Sequence, residues 1–107
     1  MPWQLKKEEK YSIYIPLFSS ILELEKALSH IHSDENKIID CTSLSLTDST
    51  ITILANAYEL HLASSNSFVV VISDKKDMDT LEEHFVVVPT VSEAIDYIYM
   101  EELERNF

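Results

Sequence analysis

Residues 38–72, IIDCTSLSLTDSTITILANAYELHLASSNSFVVVI, decide the fold of this chain. Ile38–Cys41 and Phe68–Ile72 are short apolar runs, the second almost wholly β-branched. Between them lie a hydroxyl-rich loop ending in Asp48-Ser49-Thr50 and a stretch with helical spacing over about 49–63. Strands that are apolar on both faces belong to buried parallel sheets, and two of them joined through a helix form a right-handed βαβ unit. On the helix, Ile51, Leu54, Ala55, Tyr58 and Leu62 share one side and are expected to face the sheet. The loop brings a carboxylate and two hydroxyls to the helix N-terminus, where unpaired N–H groups favour negative charge. Such a position suits a phosphate.

Working outward, Trp3–Glu8 and Tyr11–Ile15 read as a hairpin across Lys7–Lys10, with Tyr11, Ile13 and Ile15 alternating towards one face and Trp3 as an anchor. Pro16 closes the second strand. Ser20-x-x-Glu23 is a capping box opening a helix over about 20–31, and the loop Ser33–Asn36 ends it. A strand Lys37–Cys41 follows. Beyond the central helix, Asn66 takes the role usually filled by glycine at a helix end. Phe68–Ile72 is then a strand, Asp77–Glu83 a short helix and Phe85–Val88 a further strand. Thr90-x-x-Glu93 caps a last helix that turns Val91, Ala94, Ile95 and Ile98 inward. The order is ββαβαβαβα, an α/β fold with a mixed β-sheet flanked by helices, in a single domain spanning residues 1–107.

The 107 residues carry a formal net charge of −11, which argues against nucleic acid and anionic membrane surfaces as partners. Cys41 is the only cysteine, so no internal disulfide forms, and the natural setting is a reducing cytoplasm. The first ten residues lack the apolar core of a signal peptide, and no run is long enough to span a bilayer. Glycine is absent, which excludes both glycine-rich phosphate loops. No nucleotide or other cofactor is expected.

Candidate chemistry elsewhere is sparse. His30, His32, His61 and His84 have no zinc spacing and read as ordinary solvated or half-buried histidines. Cys41 reads as a small buried hydrophobe. Asp40, near a strand end, resembles a receiver aspartate, but residues 11–18 hold no acidic pair and Lys75 alone does not complete that site. No nucleophile–base pair emerges, so a binding role is expected rather than an enzyme. The acidic run Glu101, Glu102 and Glu104 reads as a solvated helix face. Ile53, Ala57 and Leu60 form a second apolar line on the central helix, beside Ser49. It is open to cover by a neighbouring helix, by a partner or by a second copy in a homodimer.

IIDCTSLSLTDSTITILANAYELH followed by VVVI resembles the STAS domain of bacterial anti-sigma factor antagonists, in which a strand leads to an Asp-Ser-Ser/Thr-Gly motif opening a helix. The resemblance runs over nearly the whole strand–helix order. It implies that Asp48 is the motif aspartate, Ser49 the phosphorylated serine and Thr50 the second hydroxyl and second candidate. Ile51 stands where the motif has glycine. It also implies partner contact through Asp48, Ser49, Thr50 and the adjoining line Ile53, Ala57 and Leu60. The partner would be an anti-sigma factor or serine protein kinase that supplies ATP and magnesium. Ile51 supports an alternative, a non-switching adaptor of the same fold.

Overall fold

The computed structural model describes residues 2–31, 34–62, 64, 66–73 and 78–105; the expectations on His32, Ser33, Ala63, Lys75 and Asp77 fall outside them. Nine elements follow the expected order: β1 (Trp3–Lys7), β2 (Ser12–Pro16), α1 (Ile21–Leu28), β3 (Lys37–Asp40), α2 (Asp48–Leu62), β4 (Phe68–Val71), α3 (Met78–Leu81), β5 (Val86–Val88) and α4 (Val91–Arg105). The strands form one sheet in sequence order, β1-β2-β3-β4-β5. β1 and β2 pair antiparallel, and β3, β4 and β5 each run parallel to the strand before.

Three right-handed crossovers that all advance in one direction must place their helices on one face of the sheet. The core divides accordingly. Leu24, Leu28, Leu54 and Leu81 of α1, α2 and α3 pack with Ile39 and Val70 on one side. Ala94 and Ile98 of α4 pack with Ile38, Val69 and Val71 on the other. Tyr11, Ile13 and Ile15 join this second side, as their alternation requires. Trp3 is the expected anchor: its Nε1 donates to Ala27 O at 2.9 Å, and its ring meets Tyr14 and Phe18 edge-on at 5.8 and 5.2 Å. Both capping boxes have their N-cap bond, with Ser20 Oγ accepting from Glu23 N at 3.2 Å and Thr90 Oγ1 from Glu93 N at 3.1 Å.

Two expectations for α2 are corrected. The helix begins at Asp48, one residue early, because Thr47 is its cap. Its buried stripe is Thr50, Leu54, Ala57 and His61, while Leu62 is 59% exposed. α2 packs on α1 as well as on the sheet, which rotates the buried side towards α1 and takes Leu62 out to solvent. Hydropathy alone hides this stripe, since two of its four members are polar.

At the amino ends of the parallel strands, Asn36 ties three elements together. Its Nδ2 donates to Lys10 O at 2.9 Å and to Glu102 Oε1 at 2.7 Å, and its Oδ1 accepts from Ser67 N at 2.8 Å. Arg105 Nη2 reaches the same Oδ1 at 3.3 Å and pairs with Glu102 at 3.3 Å. Tyr97 Oη donates to Glu101 Oε1 at 2.5 Å. The acidic end of α4 is therefore only partly the solvated face expected from sequence: Glu101 and Glu102 are half-buried and bonded, and Glu104 is exposed. Asn36→Ala leaves the buried Ser67 N–H without its acceptor and should destabilise the fold by about 1–3 kcal/mol in urea titrations. An unchanged midpoint would show that the clamp carries no stability.

Candidate functional site

The carboxyl ends of β2 to β5 form one edge of the sheet, where open α/β folds carry their sites. The loop from β3 to α2 lies there and holds itself in place. Asp40 Oδ1 accepts from Thr42 N at 3.1 Å and Thr42 Oγ1 at 2.7 Å, and Leu44 N donates to Cys41 O at 3.1 Å. Leu44 and Leu46 pack against the core. Cys41 is buried, and burial pushes its thiol up to about 12, so it is the inert hydrophobe expected.

Thr47 Oγ1 accepts from Thr50 N at 3.2 Å and lies 3.0 Å from Thr50 Oγ1, while Thr47 O takes the first helical bond from Ile51 N at 3.0 Å. Asp48 and Ser49 thus occupy the first two helical positions, and both are exposed. Ser49 Oγ makes no hydrogen bond among the described residues. Thr50 differs: it is 1% exposed and its hydroxyl is engaged with Thr47. As placed, its hydroxyl is not free for a kinase, which corrects its expected role as second candidate, and its only opening to a partner is as part of a cavity wall. Ala57 likewise lies buried on the α1 side, so the second apolar line reaches solvent only through half-buried Ile53 and through Leu60, 77% exposed. A cavity of about 400 Å³ opens beside the loop, between Ile21, Leu22 and Leu24 of α1 and Leu44 and Thr50.

Two comparisons bear on this arrangement. The crystal structure of an anti-sigma factor antagonist from Mycobacterium paratuberculosis superposes with a TM-score of 0.72 over 91% of this chain and 92% of that one, at 19% identity. The fold is STAS-like. The NMR structure of the protein TM1081 matches with a TM-score of 0.65 over 91% of this chain and 88% of that one, at 15% identity. No protein-family model and no curated protein matches the sequence. Among the described residues, no group of His, Cys, Asp and Glu side chains is arranged to hold a metal ion, and no helix is long and apolar enough to cross a membrane.

The STAS-like sheet also buries a titratable pair that the sequence reading missed. Lys37, 0% exposed, places Nζ 2.7 Å from His61 Nδ1 near the far end of α2. With the ammonium as donor, the imidazole is neutral and carries its proton on Nε2. Burial lowers the Lys37 pKa to about 8, with the Glu35 and Asp34 carboxylates opposing, and burial plus the Lys37 charge lower that of His61. Glu35 in turn accepts from Tyr14 Oη, and from Ser12 Oγ at 2.9 Å. The available sequence signal was the 4-3-4 spacing of Thr50, Leu54, Ala57 and His61, which puts the histidine on the buried stripe.

Both pKa values fall, so the folded state disfavours the charged form of each group. The unfolded chain then binds more protons than the folded one, and stability rises with pH. For Lys37 the rise spans about 8 to the ordinary 10.5; for His61, stability is lost as pH falls through the ordinary 6.5. The urea midpoint should be higher near pH 9 than near pH 7, and Lys37→Met should flatten that rise. A wild-type midpoint that is level or lower at pH 9 would contradict the buried-cation account.

Proposed function

We propose that this chain is an anti-sigma factor antagonist that binds an anti-sigma factor or related serine kinase and is switched by phosphorylation of Ser49. The setting would be a bacterial cytoplasm and the outcome release of a sigma factor for transcription. The observation that carries this reading is Ser49 itself. It is an exposed, unengaged hydroxyl at the second position of α2, on the sheet edge that bears sites in α/β folds, in a STAS-like scaffold. The Thr50 hydroxyl is buried against Thr47 Oγ1 instead.

Phosphate would add about −1.5 to −2 charges beside the positive end of α2, where negative charge is favoured by about 0.3–1 kcal/mol. The exposed Asp48 offsets part of that gain. The modification leaves the fold intact and changes what the surface presents, so regulation acts on binding. The proposed role of Asp48 is to help position the Ser49 hydroxyl, which accepts the phosphoryl group, and to form part of the docking surface. Ile51 supports a second reading, a non-switching adaptor. It is half-buried and packs against the core where the resembling motif has glycine, so it narrows the approach of a kinase to the helix backbone.

Binding measured with the cognate anti-sigma factor, captured from the native cytosol, separates the two. Ser49→Asp should lower affinity at least tenfold with an unchanged urea midpoint, and Ser49→Ala should bind as wild type but resist phosphorylation. Equal affinity of all three proteins would favour the adaptor.

A further inference from the structure

Helices α1 and α2 start at the same edge of the sheet and pack side by side, and the groove over this seam opens into two cavities. At its upper end is the cavity bounded by Ile21, Leu22 and Leu44. Lower down, a second cavity of about 240 Å³ opens between Glu25 and Ser29 of α1 and Ile53, Asn56 and Leu60 of α2. Leu22, 81% exposed, and Leu60 are the most exposed large hydrophobic residues of the described chain, and they lie at opposite ends of this seam. Ser49, Ile53, Asn56 and Leu60, spaced i, i+4, i+7 and i+11, form one line down α2 with Ser49 at its head.

The first cavity is level with Thr50 and the second centres near Ala57, seven residues further along α2. At 1.5 Å per residue they are about 10 Å apart, the separation of residues i and i+7 on a docked helix. Glu25 borders the second cavity. Its carboxylate is in no salt bridge among the described residues, so the seam offers one unpaired negative charge between its apolar ends.

We infer that this seam receives an amphipathic helix of the partner, with apolar residues at i and i+7 and lysine or arginine between them to meet Glu25. A second copy of this chain fits poorly. Its other exposed apolar stripe, Tyr99, Met100 and Leu103, is interleaved with Asp96 and Glu104, and each chain carries −11. Docked antiparallel to α1 and α2, the incoming helix lays its C-terminal carbonyls beside the positive ends of both. Ser49 stands at that end, so a phosphate there faces those carbonyls and repels them. The inference rests on the proposed function for the meaning of Ser49 and names the structure that the switch would act on.

The probe is a fluorescein-labelled synthetic 18-residue helix of leucine, alanine and lysine with leucines at i, i+4 and i+7, beside a scrambled peptide of the same composition. Anisotropy titrations should show at least tenfold weaker binding to Leu60→Glu and to Leu22→Glu. Leu103→Glu, on α4, should match wild type, and Ser49→Asp should bind several-fold more weakly. Amide shift changes should follow the α1–α2 seam. Equal binding of the scrambled peptide, unchanged affinity in Leu60→Glu, or shift changes centred on α4 would overturn the inference. So would a concentration-dependent dimer abolished by Leu60→Glu. The assay contains neither anti-sigma factor nor kinase, so failure here removes the seam and leaves Ser49 phosphorylation to its own binding test.

Discussion

Ile38, Ile39, Val69, Val70 and Val71 are wholly excluded from solvent, and their side chains alternate between the two faces of the sheet. Two central strands buried on both sides cannot exist without helices above and below them. β3 and β4 therefore require α2 as their connection and α4 as cover for the opposite face. The short parallel strands then share one carboxyl edge, and the loop entering α2 has nowhere to run but across it. Leu44 and Leu46 hold that loop to the core, and Thr47 starts the helix. Asp48 and Ser49 are left facing outward as a consequence of that packing.

Much of this was legible in the residues. Strand identity followed from the β-branched runs, the two capping boxes marked α1 and α4, and Trp3 behaved as an anchor. Readings went astray where an element packs on two neighbours. α2 was read as a helix lying on a sheet, whereas α1 beside it draws Thr50, Ala57 and His61 inward and releases Leu62. A polar residue on a buried stripe is invisible to hydropathy unless its bonding partner is known. Thr50 needs Thr47, and His61 needs Lys37, the first residue of β3. The acidic end of α4 misled in the opposite sense: Glu102 resembles a solvated charge until Asn36 and Arg105 are placed around it.

The division between fold and site has a functional consequence. Ser49 lies one residue from a buried, engaged hydroxyl and four residues from a half-buried seam residue, yet its own side chain contributes no bond to the fold. A modification there changes charge and shape at the surface while the cap, the sheet and the α1 contact stay as they are. Thr47 and Thr50 serve the helix, and Asp48 and Ser49 face solvent. Ile51 belongs to the core in this chain, which makes the entry to α2 more rigid than a glycine would leave it.

The most direct measurement is phosphosite mapping by mass spectrometry on the protein purified from its native cell, with and without phosphatase treatment. The account predicts a phosphatase-sensitive phosphate on Ser49, with Thr47 and Thr50 unmodified. Phosphate on Thr50 or elsewhere in the loop with Ser49 bare, or no phosphate in the loop under any growth condition, would contradict it.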